Sequence, residues 1–219
     1  MKIRLFYIIA ILCVLLTPAF ISAQEEETQS GVKVEFSLYY DPLSLALESW
    51  SETKAPDSVK MEAYKAASGF LAGVPFHFEA NRNKITITEQ VNEVARDLKY
   101  LGTSTVEDCR GFNYAITVPS DRVAKARTYK SYPGHGLGDE ESLAPARESA
   151  RKQALDEAIR AAMSEAYLRQ SKPMPGMLDG RITWYEITNE GRDRESGSYF
   201  VDLNAWILLP SEPVSNGQS

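Results

Sequence analysis

Apolar and polar positions alternate in four stretches of the first half of the chain. Valine, phenylalanine and leucine occupy every second position of residues 32–38, and the same period recurs in residues 74–78, 85–87 and 114–118. Successive side chains of a strand point to opposite faces, so each stretch predicts a strand with one buried face. Turn residues at positions 81–83 join the second and third stretches and predict a hairpin.

Apolar residues at spacings of three and four lie between these strands and predict three helices. The first follows the cap and first-turn proline of residues 41–42 and runs to residue 50. The second covers residues 57–71 and ends at Gly73, a residue type favoured at helix C-termini. The third begins after the capping residue Thr88 and runs to residue 102.

The second half of the chain has a different pattern. Residues 123–131 predict an extended segment, and residues 134–138, with glycine at every second position, predict a loop. Ser142 can cap a helix of about 25 residues that ends near residue 170. Two long strands follow, over residues 182–187 and 199–209, joined by a polar turn.

The long helix carries alanine at every fourth position. A ridge of small side chains predicts that the helix backbone lies close to a sheet. The opposite face carries charged residues at helical spacing and predicts a solvated face with ion pairs. The ridge consists of Ala146, Ala150, Ala154, Ala158, Ala162 and Ala166, and the charged face of Arg147, Glu148, Arg151, Lys152, Asp156, Glu157 and Arg160.

These elements predict an α+β fold in which helices pack on one face of antiparallel sheets. The strands that end at Pro119 and Pro210 close alike, each with an aliphatic residue, proline, serine and an acid. Duplication and chance both explain this likeness. We therefore expect an N-terminal sub-domain over residues 32–121 and a similar C-terminal sub-domain over residues 122–212, with residues 213–219 as a loose tail.

The first 23 residues have the order of a secretory signal peptide. Lys2 and Arg4 precede an apolar run that is shorter than the roughly 20 residues of a membrane-spanning helix, and Ala23 offers a small residue for cleavage. We expect a mature chain that begins at Gln24, opens with a flexible leader over residues 24–31, and has no stable membrane insertion. The predicted location is the periplasm, with secretion or outer-membrane association as alternatives.

Charge and cysteine content narrow the partner class. Loss of the two basic residues of the leader changes the formal net charge from −6 to −8, which disfavours nucleic acid as a partner. The mature chain would keep one cysteine, Cys109, so it would form no internal disulfide. Its hydrophobic core, rather than covalent cross-links, would therefore stabilise the fold. We expect protein partners of the cell envelope, with a homo-oligomer as an alternative.

No catalytic, cofactor or metal site is predicted. The glycines of residues 134–138 lack phosphate-loop spacing, and the acids that follow them would repel a phosphate. His77 and His135 lie in different predicted elements without nearby cysteine or histidine, so neither predicts a zinc site. Cys109 has no neighbouring base in the sequence that would activate it as a nucleophile.

An aromatic cluster on the last two strands is the candidate partner-binding site. It comprises Trp184, Tyr185, Tyr199 and Trp206. Packing in the core explains such a cluster, and so does an exposed stripe that binds a partner chain. The two explanations stay open at the level of sequence.

Residues 125–209 resemble the N-terminal domain of flagellar assembly protein T, which is shared with small outer-membrane lipoproteins. The resemblance rests on the glycines of residues 134–138, the alanine helix, Gly180-Arg181-Ile182 and the strand from Tyr199 to Ala205. It implies an envelope protein that acts through protein contacts in ring-like or surface assemblies, without a cofactor or catalytic residues. We therefore expect a non-catalytic envelope or flagellum-associated protein, with a periplasmic small-ligand or glycan binding protein as the alternative.

Overall fold

The computed structural model describes residues 31–41, 51, 53–91 and 95–210. The predicted signal peptide, most of the predicted leader, the tail and the helix predicted up to residue 50 lie outside these residues. The described strands form two antiparallel sheets, one of three strands and one of five. With helices packed against them, the fold is α+β, as predicted from the sequence.

The three-stranded sheet contains β1 (Gly31–Tyr40), β5 (Cys109–Pro119) and β4 (Lys99–Val106), in the order β1-β5-β4. The first helix, α1 (Asp57–Ala72), follows β1 in the chain and ends at Gly73, whose φ of 77° suits glycine. Alternation of apolar residues thus identified β1 and β5 correctly, and helical spacing identified α1.

Strand β4 corrects the third helix prediction. The helix expected over residues 88–102 would include the first four residues of β4 (Lys99–Val106), a strand that pairs with β5 instead. Gly102 has a φ of 111° and lies at a β-bulge, a conformation that glycine adopts readily and that a helix does not contain. Pairing with a distant strand therefore overrides the local helical spacing.

The five-stranded sheet has the order β3-β2-β7-β8-β6. Its hairpin of β2 (Val74–Glu79) and β3 (Lys84–Ile87) turns through a 3₁₀ turn at Ala80–Arg82, as predicted. The long hairpin of β7 (Met177–Arg192) and β8 (Tyr199–Leu208) fits the prediction for the end of the chain. Strands β2 and β3 come from the first predicted sub-domain, and β2 pairs with β7 of the second, so the two share this sheet.

Two predictions for the middle of the chain are wrong. Residues 123–131 do not form one extended segment, because Ser120–Ala126 is a helix, α2. Residues 134–138 are not a loop, because they belong to strand β6 (Ser131–Gly138), which pairs with β8 along its whole length. Glycine is usually a strand breaker, but here tertiary packing requires it.

The third helix, α3 (Leu143–Met163), lies directly on β6. It continues through a π-helical turn at Ser164–Leu168, so the prediction of a helix of about 25 residues is confirmed. The alanines of its ridge up to Ala162 are buried. A side chain at Gly134, Gly136 or Gly138 would collide with the backbone of α3, so the alternating glycines of β6 let this helix approach the sheet.

The charged face of α3 departs from the prediction at two positions. Arg151 is buried, and the side chain of Arg147 is only 18% exposed. Both arginines form ion pairs with carboxylates of other elements, whereas Arg160 pairs with Asp156 on the helix itself. The face is therefore solvated only in part.

In the described part of the chain, no helix has both the length and the apolar character needed to cross a membrane.

Candidate functional site

Two strand edges face each other between the two sheets. Strand β1 is the first strand of its sheet and pairs with β5 along one side only. Strand β7 pairs with β8 along one side, and on its other side β2 covers only Met177–Ile182. Residues 184–190 of β7 therefore have an open side. Within the described residues, no backbone hydrogen bond reaches that side or the corresponding side of residues 32–39.

The space between these edges is a cleft of about 1140 Å³, which we call the slot. Every residue of 32–39 and every residue of 184–190 lines it. Since successive side chains of a strand point to opposite faces, an unbroken run of lining residues means that the slot meets the edge of each strand. Alternate residues of an antiparallel strand direct both the N–H and the C=O groups away from their partner strand. Each edge can therefore offer backbone donors and acceptors to the slot.

A cluster of aromatic rings contacts both strands at the end of the slot where Trp184 lies. The ring of Phe70 on α1 lies 5.8 Å from the ring of Phe36 on β1, 5.6 Å from that of Trp184 and 5.7 Å from that of Tyr185 on β7. These centroid distances are within the range of attractive aromatic pairs. Phe70 thus fixes the separation of the two strands at this end.

A half-buried arginine spans the other end. The Arg147 guanidinium lies 5.2 Å from the ring of Tyr39 on β1, and its Nε donates a hydrogen bond of 2.8 Å to Glu190 on β7. Phe36 precedes Tyr39 and Trp184 precedes Glu190, so β1 and β7 run in the same direction along the slot.

Helices lie over both faces of the slot. A stripe on α1 lines one face, and the first turns of α3 line the other. The two helices pack against opposite faces of the five-stranded sheet, since Trp184 belongs to the core cluster of α1 whereas Val201, Leu203 and Ala205 belong to that of α3. The stripe consists of Glu62, Ala66 and Phe70, and α3 contributes Ala144, Pro145, Arg147, Glu148 and Arg151.

Charged side chains line the slot. Its lining has three cationic side chains, those of Lys33, Arg147 and Arg151, and six carboxylates. The carboxylates belong to Glu35, Glu62, Glu89, Glu148, Glu186 and Glu190. Cations outside the lining pair with three of them, Lys65 with Glu62, Arg127 with Glu186 and Lys152 with Glu148. Each of the six carboxylates therefore has a cationic partner.

The half-buried Arg147 and the buried Arg151 are neutralised by these carboxylates. Arg151 donates to Glu89 over 2.8 Å and forms two bonds of 2.9 Å to Glu148. Burial lowers the pKa of Arg147, but the bonds from Glu190 outweigh this effect and hold the pKa above its ordinary value. Burial likewise raises the pKa of Glu148, and the contact with Arg151 reverses the shift, so the pKa lies below its usual range.

The structure brings two of the four predicted aromatic residues together on neighbouring strands. Trp184 and Trp206 are cross-strand partners on β7 and β8. The Arg127 guanidinium lies 5.9 Å from the Trp184 ring and 5.5 Å from the Trp206 ring, and it forms an ion pair with Glu186. Trp184 is buried and Trp206 half-buried. Strand β8 lies between β7 and β6, so Trp206 is on a central strand.

The other two predicted residues, Tyr185 and Tyr199, make different contacts. Tyr185 is beside Trp184 and stacks on Phe70 at the slot. Tyr199 is buried at the far end of β8 on the face that packs against α3. Burial raises the pKa of Tyr199 to about 12, and the nearby Glu190 carboxylate adds to the shift.

The edge of the five-stranded sheet at β6 is covered, in contrast to the slot. Glu157 of α3 accepts a hydrogen bond from the backbone N–H of His135, and Gln153 accepts one from the N–H of Leu137, over 2.7 Å and 2.6 Å. Pro133, two residues earlier, has no N–H. Side chains and proline that satisfy or remove edge donors prevent pairing with another chain.

His77 and His135 each form a hydrogen-bonded pair with an aspartate on the neighbouring strand. His77 and Asp179 are partners on β2 and β7, with 2.8 Å between Nδ1 and the carboxylate. His135 and Asp202 repeat this arrangement on β6 and β8, at 2.7 Å. Among the described residues, no three or more His, Cys, Asp or Glu side chains form a group suited to a metal ion.

Cys109 is buried at the start of β5. Its sulfur lies 3.8 Å from the hydroxyl oxygen of Ser142, the residue before α3. Burial raises the pKa of the thiol, which lowers the fraction of reactive thiolate. The surroundings therefore disfavour a nucleophilic role.

Sequence reasoning missed the slot itself. The charge pattern placed Arg147 and Arg151 at i and i+4 on α3 but could not show that both turn toward the carboxylates of the slot. The nearest signal in the sequence was that each arginine follows a ridge alanine directly. The open edges of β1 and β7 depend on which strands pair across more than 70 residues of chain, and local patterns do not carry this information.

Comparisons of the chain with protein-family models, with curated proteins and with solved structures give no match. Arguments about function therefore depend on the slot and on the surfaces around it.

Proposed function

We propose that this protein is a non-catalytic component of the cell envelope that acts through protein contacts and holds a segment of a partner polypeptide in the slot. The observation that carries the proposal is the pair of strand edges, at β1 and β7, that face each other across one cleft. An extended segment can bind such edges through backbone hydrogen bonds, which is a recurring mode of peptide recognition.

The edge of β6 is covered whereas the edges of β1 and β7 at the slot are open, and this difference supports the proposal. Exposed strand edges promote unwanted pairing, and proteins usually cover them. This chain covers the β6 edge with proline and with two side chains of α3, yet the edges at the slot have no such cover among the described residues. A binding role for the slot explains why the two places differ.

Export is the part of the proposal that comes from the sequence. Residues 1–23 are proposed as a cleaved signal peptide, and the mature protein is proposed to work in the periplasm, with secretion or outer-membrane association as alternatives. N-terminal sequencing of the protein recovered from the periplasmic fraction should begin at or near Gln24. Recovery of a chain that still begins at Met1 would contradict export by cleavage.

The resemblance of residues 125–209 to the N-terminal domain of flagellar assembly protein T fits a role in an envelope assembly. The role in an envelope assembly, including one associated with flagella, is part of what we propose. An assembly component would use surfaces for protein contacts rather than a catalytic centre, which agrees with the expectation that the chain has no enzymatic activity.

The aromatic residues give less support to the small-ligand or glycan alternative. A sugar-binding site needs an accessible aromatic face, whereas Arg127 lies over both indole rings of the Trp184 and Trp206 pair. Tyr185 stacks on Phe70, and Tyr199 is buried. The four residues therefore favour packing within the protein.

Photocrosslinking in intact cells tests the proposed function. A benzophenone amino acid would replace Glu35, whose side chain is 59% exposed in the slot, and in a matched variant Leu137 on the covered β6 edge. We expect a covalent adduct with one polypeptide at position 35 and none at position 137. The crosslinked stretch would be identified by mass spectrometry, and the purified polypeptide should bind the wild-type protein. Absence of a polypeptide adduct from a correctly folded position-35 variant would refute the proposal.

A further inference from the structure

We infer that Arg122 is a positioning residue for the slot. It ties helices α1 and α2 to β7 at the point where β7 becomes an open edge, and in this way it sets the separation of the two edges. Arg122 lies in the first turn of α2 and acts through the elements that it joins. The inference rests on the proposed function, because the separation matters for binding only if the slot holds a segment.

A β-bulge at Thr183 marks the start of the open edge. Ile182 is the last residue of β7 that pairs with β2, and the register with β8 shifts between Ile182 and Trp184. Thr183 is therefore the extra residue, and a bulge of this kind re-aims the side chains that follow it. Ile182 belongs to the core on the α3 side of the sheet and Trp184 to the core on the α1 side, whereas a regular strand would place both on one face. The bulge thus directs Trp184 toward Phe70 at the slot.

Helix α2 holds the bulge through two polar groups of Thr183. The Thr183 hydroxyl oxygen lies 2.9 Å from the carbonyl oxygen of Ala126 and 3.0 Å from that of Trp206, and it donates its hydrogen to one of them. The carbonyl oxygen of Thr183 accepts a hydrogen bond of 3.2 Å from Nη2 of Arg122. Thr183 is buried, so these bonds replace the water that its polar groups have lost.

The Arg122 guanidinium also holds the end of α1. Its Nε donates a hydrogen bond to the carbonyl oxygen of Leu71, the residue after Phe70. Arg181 of β7 donates to the next carbonyl, that of Ala72, over 2.7 Å. The last carbonyls of a helix have no partner within the helix, and cationic donors are favourable there. Since α2 follows β5 directly in the chain, Arg122 connects the three-stranded sheet with the helix that carries Phe70 and with the edge of β7.

The separation of the edges decides whether one segment can pair with both. Neighbouring strands lie about 4.8 Å apart, so a segment between two edges requires them to be about 9.6 Å apart. Backbone hydrogen bonds have N···O distances within a range of about 0.5 Å, so a larger change in separation breaks the bonds on one side. A residue that fixes the separation therefore determines how often the slot is ready to bind.

Spin labels in the two sheets measure whether Arg122 fixes their separation. Cysteine replaces Thr105 on β4 and Leu137 on β6, which are exposed strand residues, and Cys109 is replaced by serine. Double electron–electron resonance on the purified mature chain gives the distribution of distances between the labels. We expect Arg122→Met to widen this distribution about twofold, because the sheets would sample several separations. Arg122→Lys should give an intermediate width, since lysine can still donate to one of the two carbonyls.

Arg160→Met is the matched control. Arg160 also donates to a backbone carbonyl, that of Asn83 over 3.0 Å, but both residues belong to the five-stranded sheet and the helix α3 on it. This variant should keep the wild-type distribution. In intact cells, the yield of the position-35 adduct per folded molecule should fall about fivefold in Arg122→Met if the correct separation is populated about one-fifth of the time. The control should keep the wild-type yield.

The outcomes separate this inference from the proposed function. An unchanged distribution in folded Arg122→Met would overturn the inference, and so would a wider distribution with a full adduct yield. The wild-type adduct at position 35 would support the proposed function in both cases. If Arg122→Met does not fold, Thr183→Val takes its place in both measurements, because it removes the hydroxyl that bonds the bulge to α2 and keeps the side-chain volume. Absence of an adduct in the wild type would refute the proposed function and, with it, a role of Arg122 in binding.

Discussion

Replacement of Gly136 by alanine tests the close contact between β6 and α3. An ideal Cβ at this position would lie 2.6 Å from the backbone N of Ala154 and closer still to the carbonyl oxygen of Ala150. Both atoms belong to the helix backbone, so no side-chain rotation can relieve the collision. To restore an ordinary contact of 3.4 Å with the nearer carbonyl oxygen, the helix would have to move by about 1.4 Å.

Such a movement has two costs. A gap of 0.5–1 Å forfeits about a quarter to a half of the dispersion energy of the contacts along the alanine ridge. It also stretches the bonds from Gln153 and Glu157 that cover the β6 edge, each worth about 1 kcal/mol. Overpacking alone costs about 1–3 kcal/mol, so we expect Gly136→Ala to lower the free energy of unfolding by about 3 kcal/mol or more.

Urea denaturation measures this change, and Gly191→Ala is the matched control. Gly191 is also a strand glycine, but a Cβ there would meet only the Phe200 ring at 3.6 Å, an ordinary contact. This control should be neutral or stabilising by up to about 1 kcal/mol, because alanine loses less backbone entropy on folding. Wild-type stability of Gly136→Ala would refute the claim that the glycines of β6 are required by the helix.

Three further variants test other contacts. Trp206→Ala should lower the free energy of unfolding by about 1–3 kcal/mol in urea, because the half-buried ring packs against Arg127 on a central strand, and it should leave partner binding unchanged. Tyr114→Phe should raise that free energy by about 1 kcal/mol, because the buried Tyr114 hydroxyl has no hydrogen-bond partner. Glu148→Gln should cost about 1–2 kcal/mol near pH 7, since it breaks the two bonds from Arg151.

The pH dependence of the last variant has a definite sign. The pKa of Glu148 is depressed in the folded protein, so its stabilising contribution is complete above the unfolded pKa and is lost as the pH falls through the folded pKa. The difference between wild type and Glu148→Gln should therefore shrink as the pH falls from 6 to about 3. A difference independent of pH would refute this account. Loss of partner binding with unchanged stability would contradict the prediction for Trp206→Ala. A lower free energy of unfolding would contradict the prediction for Tyr114→Phe.

Local patterns in the sequence identified the elements whose burial has a clear period. The alternation in β1 and β5, the hairpin of β2 and β3, and the ridge of α3 all appear in the structure as expected. The errors fall where a distant partner decides the conformation. The start of strand β4 has apolar residues at helical spacing but pairs with β5. The alternating glycines of β6 are typical of a loop, and only the packing of α3 on them explains why they lie in a strand.

The candidate site was less accessible to sequence reasoning. Trp184 and Tyr185 were identified by their aromatic character, and both line the slot. Arg151 was assigned to a solvated face, because a charge on a helix surface is usually exposed, and only its carboxylate partners, Glu89 after β3 and Glu148 on α3, make its burial possible. An open strand edge has no residue pattern of its own, since its backbone groups are the same in every sequence.

The placement of β1 and β7 on both sides of the slot limits how many chains can associate. On a sheet with one exposed edge, each added strand presents a new edge, so addition can continue into a fibre. A strand held between β1 and β7 would have a partner on each side and would leave nothing for the next chain to pair with. If the slot binds a segment as proposed, association through it would stop at one segment per molecule, and light scattering should stay constant once equimolar segment has been added.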